Sequence, residues 1–153
     1  MVVAKDLGIP LSPQNASFLV VFLENKVHCW ENLIKRGFNG LGWCALCRNA
    51  GETTLHLFLS CPYYVEVWVE CCKLLGLGPA CRWEGDSIIH AWERWRHSET
   101  TKVMIVLPLL VTWGIWLARN NLVFNGKECT LEIMAGMVCG IALTLPKHLR
   151  VKN

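Results

Sequence analysis

Aspartate is nearly missing from this chain: two occur in 153 residues, Asp6 and Asp86, eighty positions apart. A polymerase or nuclease site that clusters aspartates around paired magnesium ions has little to build on. Charge of either sign is also scarce, at 18% of residues, while hydrophobic residues reach 53%. That balance excludes a disordered chain and leaves one apolar domain with a core of its own. The net charge of +3 is compatible with nucleic acid but too small to argue for it. Strand signals are few, for no hairpin dipeptide is flanked by clean alternation, and there is no internal repeat. The opening "MVVAKDLGIP" lacks the apolar stretch of a secretory signal. An intracellular protein is therefore expected, nuclear or cytoplasmic and not secreted.

One long apolar run is present, "VMIVLPLLVTWGIWLA" at 103–118. A membrane-spanning helix needs about 20 such residues, and this run is shorter and carries Pro108 near its middle. A buried core helix is expected, with a small membrane protein anchored by 103–118 as the alternative.

Cysteine, by contrast, is abundant at nine residues. In a reduced compartment disulfides are not expected, and the odd count would leave one thiol over. Metal ligation or buried thiols remain. Three of the nine fall with one histidine in Cys44-x2-Cys47-x8-His56-x4-Cys61. A Cys-x-x-Cys turn lets two thiolates grip one ion without strain, and a later histidine and cysteine complete a tetrahedron. Three thiolates and a neutral imidazole select zinc over hard cations. Four protein ligands leave no open position for water, so the site is expected to be structural and the protein no enzyme, with no small-molecule substrate. A redox motif and unliganded thiols are the other readings of the cluster, and "CALC" lacks the strand-to-helix context of the former. His28, His90, Cys71 and Cys72 are possible substitute ligands, whereas Cys29, Cys81, Cys129 and Cys139 read as small core hydrophobes.

Around this cluster the apolar spacing is helical. A helix is expected from Phe18 to Arg36, capped by Asn15 or Ser17 and stopped by Gly37. Others are expected after Pro62, after Asp86 or Ser87, after Thr100 or Thr101, and from Leu131 to Leu145 with Thr130 as cap. The expected fold is mainly α: a small helical domain over 16–145, with an irregular CCHC zinc-binding loop at 43–61 between the first and second helices. Residues 1–15 read as a flexible lead-in and 146–153 as a basic tail. Leu55, Leu57, Phe58 and Leu59 flank His56 and can pack beneath the metal. The sharper alternative makes Trp43 or Phe58 a stacking platform for an unpaired base, with Lys35, Arg36 and Arg48 meeting phosphates.

The stretch "NLIKRGFNGLGWCALCRNAGETTLHLFLSCPYYVEVW" resembles the zinc-binding domain that follows the reverse transcriptase in plant LINE-type (non-LTR) retrotransposons. Asn32, Leu33, Arg36 and Gly37 match its lead-in, and Cys44, Cys47, Glu52, Thr53, His56, Leu57, Phe58, Cys61 and Trp68 match its core pattern. Downstream, Trp113, Ile115, Trp116, Arg119 and Asn120 are similar to its Trp-x-Ile-Trp-x-x-Arg-Asn segment. Family members usually carry a tryptophan where this chain reads "FLVVFLENKV", and often a threonine before the lead-in where it reads "VHCWENL". None of these 153 residues is expected to form a polymerase palm, an endonuclease or a ribonuclease H. The resemblance implies a zinc-binding module from a retrotransposon polyprotein, with weak affinity for single-stranded RNA or DNA and with other retroelement proteins as partners. Lys35, Arg36, Trp43, Arg48 and Arg119 are then the candidate nucleic-acid residues. The alternative is a structural or relic domain with no autonomous function.

Overall fold

In a computed structural model of the chain, residues 12–40, 42–77, 85–98 and 102–144 are described. Most of the expected lead-in, the basic tail, Cys81 and the expected cap at Thr100 or Thr101 lie outside them. Six α-helices are described: α1 Pro13–Leu23, α2 Trp30–Lys35, α3 Pro62–Leu74, α4 Ile88–Ser98, α5 Lys102–Asn125 and α6 Leu131–Thr144. A π-helical turn, His56–Ser60, precedes α3. No β-strand occurs among the described residues, only an isolated bridge between Trp43 and Gly51.

The first helix starts earlier than its apolar spacing suggests. Ser12 is the cap, its hydroxyl accepting the Asn15 N–H at 3.2 Å, and Pro13 takes the first turn, where no N–H is needed. The helix also ends earlier. Asn25 adopts a left-handed φ of 55°, which asparagine tolerates better than most residues. The Asn32 amide then donates to the carbonyls of Asn25 and Val27 at 2.9 and 2.8 Å, fixing the corner. The expected single helix is thus two, and the metal loop falls between α2 and α3. Apolar periodicity runs through the corner because Val27 and Cys29 are buried in the loop as well.

Other boundaries follow local chemistry. Pro62 opens α3 and Gly76, at φ 68°, ends its last turn. Ser87 accepts the His90 N–H at 3.1 Å, and Thr130 accepts the Ile133 N–H at 3.4 Å.

The body is built on α6, which packs against both α3 and α5, while α1 and α4 each pack on α5. Gly114 of α5 allows one close approach: a Cβ there would lie 2.7 Å from Met134 Sδ and 3.1 Å from Val138 Cγ2 of α6. Val106–Asn125 is long and apolar enough to cross a membrane by length and composition, and half of that stretch is buried against the other helices. An aromatic cluster joins α1 to the metal loop and α5. Phe22 meets Phe58 edge-on at 5.0 Å, and Phe18 meets Trp113 edge-on at 5.0 Å. Phe58 is fully buried, so it is part of the floor under the loop and unavailable as a stacking platform.

Candidate metal centre

Residues 42–52 form a tight reversal. Cys44 N–H donates to the Ala50 carbonyl at 2.8 Å, Glu52 N–H to that of Gly42 at 2.8 Å, and Arg48 N–H to that of Cys44 at 2.9 Å. Arg48 turns the chain back with a left-handed φ of 58°. This places Cys44 and Cys47 on one side of the reversal. The second pair of donors comes from the start of the next helical segment. Thr53 Oγ1 accepts the His56 N–H at 2.9 Å, and Cys61 N–H reaches the His56 carbonyl at 2.6 Å, which closes the wide turn.

The two halves meet. One donor atom from each of Cys44, Cys47, His56 and Cys61 lies within 4.8 Å of all the others. Cys44 Sγ and Cys61 Sγ are 3.8 Å apart, and Cys47 Sγ is 3.2 Å from His56 Nε2. Zinc–sulfur bonds of about 2.3 Å in a tetrahedron separate two sulfurs by about 3.8 Å. The donor set, its span and its burial fit a zinc ion held by these four side chains. Such an ion would supply a positive centre that ties the reversal to the helix, with every coordination position filled by protein.

The protein already favours thiolate here. Cys44 is held well below the ordinary thiol range by a hydrogen bond from Cys61, helped by the N–H groups of Cys47 and Leu46. Cys61 is held high because it shares its proton with Cys44 and is buried, although the N–H groups of Tyr64 and Tyr63 at the start of α3 oppose this. A divalent cation between the two sulfurs would replace that shared proton. Asn49 N–H also points at Cys47 Sγ, at 3.4 Å.

Behind the cluster lies a buried carboxylate. Glu52 receives Arg119 of α5, with Arg119 Nη2 at 2.7 Å from Oε1 and Nε at 3.2 and 3.3 Å from the two oxygens. Glu52 also accepts the Trp30 N–H at 3.0 Å and the Ala45 N–H at 3.4 Å. One carboxylate therefore joins the start of α2, the Cys-x-x-Cys turn and α5. Arg119 in turn lies over the Trp116 ring, 5.2 Å from its centroid, and Nη1 donates to Asn120 at 3.1 Å.

Residues 9–68 match the protein family described as zinc-binding in reverse transcriptase. No curated protein and no solved structure matches the chain. The matched segment takes in α1, α2, the whole metal loop and the first half of α3; Arg119 and its Trp-rich helix lie beyond it.

The sequence-predicted residues divide. Cys44, Cys47, His56 and Cys61 are brought together, while none of His28, His90, Cys71 and Cys72 joins their donor cluster. Lys35, Arg36, Trp43 and Arg48 are all exposed. Arg119 is not: it is 2% exposed and committed to Glu52, which leaves it unavailable to nucleic acid, contrary to the sequence-based expectation. Lys35 pairs with Glu31 at 3.3 Å and Arg48 with Glu128 at 3.7 Å. Sequence reasoning missed the role of Glu52. Its only signal was membership, with Arg119, in the family pattern.

Proposed function

We propose that the chain is a non-catalytic zinc-binding module derived from the polyprotein of a plant LINE-type retrotransposon, acting inside the cell as a weak binder of single-stranded RNA or DNA. The observation that carries this reading is the closed constellation of three cysteines and one histidine inside a segment that matches a reverse-transcriptase zinc-binding family. Four protein donors argue for a structural ion and against metal-activated water. Exposed Trp43 beside the loop, with Lys35, Arg36 and Arg48, supports contact with an unpaired base and its phosphates. Other proteins of the parent element are the partners proposed for it.

Titrating zinc-loaded protein with single-stranded RNA at rising salt tests this. Three phosphate contacts give log affinity a slope of about −2 against log salt. Absence of binding at low salt sinks the nucleic-acid part. A second reading, a structural domain without a partner of its own, draws support from Arg119, which is buried, and from the carboxylates beside Lys35 and Arg48. Under it, the zinc-loaded protein folds normally and the titration is flat.

A further inference from the structure

A cleft of about 250 Å³ opens between α1 and α5, on Phe18, Trp113 and Trp116, and is separate from the metal loop's own ligands. Phe18 is almost wholly buried, whereas both tryptophans are half-buried and line the cleft. Phe18 and Trp116 are close to parallel, at 24° with centroids 6.1 Å apart, and Trp113 stands edge-on to Phe18. The cavity is smaller than the roughly 300–1,000 Å³ of a drug-sized pocket but suits one flat ring.

Its rim is basic. Lys26 and His28 both line the opening. Arg36 donates through Nη1 to His28 Nε2 at 2.7 Å, so this nitrogen accepts and a guanidinium stands behind the rim. Glu24 offsets part of the charge by pairing with Lys26 at 2.7 Å. Lys26 on the lining is paired with Glu24, and Arg36 behind His28 adds the one surplus positive charge beside the aromatic floor.

We infer that this cleft is the base-stacking subsite for single-stranded nucleic acid, taking one unpaired base against Trp113, with Trp116 as the neighbouring wall, while Lys26 and Arg36 meet the adjoining phosphates. The inference rests on the nucleic-acid reading above and moves the stacking contact from Trp43 to α5. Aromatic floors are sequence-tolerant because every base has a π-face, and a cationic rim supplies the salt-dependent part. The phosphate must displace Glu24 from Lys26, which keeps affinity low.

The test uses the full zinc-loaded chain, with a short oligothymidylate and an abasic sugar–phosphate oligomer of equal length as probes. The thymidylate is expected to bind about five- to a hundredfold more tightly than the abasic oligomer. It is also expected to shift the indole N–H resonances of Trp113 and Trp116, assigned with W113F and W116F. Two exposed rim changes leave the core untouched. Lys26→Glu is expected to weaken binding, and Glu24→Gln to tighten it about two- to fivefold by freeing Lys26. Binding that leaves both indoles and both rim variants unchanged, but is lost in Trp43→Ala, overturns the cleft while sparing the nucleic-acid reading. Binding to neither oligomer removes that reading, and the cleft with it.

Discussion

Two groups of cysteines sit within one small fold and have opposite characters. In the metal loop, sulfurs face backbone N–H groups: those of Leu46, Cys47 and Asn49 in the reversal, and of Tyr63 and Tyr64 at the start of α3. In the seam between α3 and α6, Cys71 and Cys139 face carbonyls instead. Cys71 Sγ lies 4.0 Å from the Ala135 oxygen and Cys139 Sγ 3.8 Å from the Cys71 oxygen. A helix interior has no N–H to spare, whereas a reversal and a helix N-terminus do. Burial accordingly raises the pKa of both seam thiols and keeps them protonated. Backbone polarity, more than cysteine count or depth, separates a metal ligand from a core residue.

The largest expected effect breaks the metal side. Chelation, or Cys44→Ser, removes zinc and unfolds the loop, since structural zinc binding of about 10 kcal/mol or more is coupled to folding. Zinc content and thermal melting measure this, and a Cys44→Ser protein with full zinc and unchanged melting overturns the ligand set. Next comes the carboxylate that supports the loop. Glu52→Ala or Arg119→Leu strands one buried charge and costs about 3–5 kcal/mol. The double variant should cost less than the sum of the two, as denaturant unfolding of the full cycle will show.

The seam is expected to respond more weakly. Cys71→Ala or Cys139→Ala loses packing worth about 1–2 kcal/mol with zinc content unchanged. Loss of zinc in either variant would dissolve the distinction between the two groups. The smallest effect is the response of the seam to pH. Its folded-state pKa values are raised, so its stabilisation is complete below the ordinary thiol value of roughly 8.5 and fades as pH rises through the raised values. The metal loop runs the other way: zinc needs deprotonated ligands, so acid releases the ion. Native mass spectrometry across pH, with melting curves at the alkaline end, should resolve the two opposite trends.

Much of this was legible in the chain itself. Cys44, Cys47, His56 and Cys61 declared themselves because metal geometry imposes short, recognisable spacings. Pro62, Gly37 and Gly76 marked helix boundaries because their backbone preferences are intrinsic. The break at Asn25 was hidden, since no glycine or proline marks it and buried Val27 and Cys29 prolong the apolar rhythm. Arg119 misled for a related reason. A basic residue just past an apolar run looks solvated until its partner is known, and Glu52 lies 67 positions away. A buried ion pair leaves no local trace.

The π-helical turn at His56–Ser60 gives the metal loop a matter of phase. Five residues of regular α-helix carry a side chain about 140° around the axis from its starting direction. His56 and Cys61 are five apart, yet their donor atoms converge on one point. The wide turn absorbs the surplus residue, and the hydrogen bond from Cys61 N–H to the His56 carbonyl locks it in place. The ligand spacing and the helical repeat thus run one residue out of step, and this single turn is where the two rhythms are reconciled.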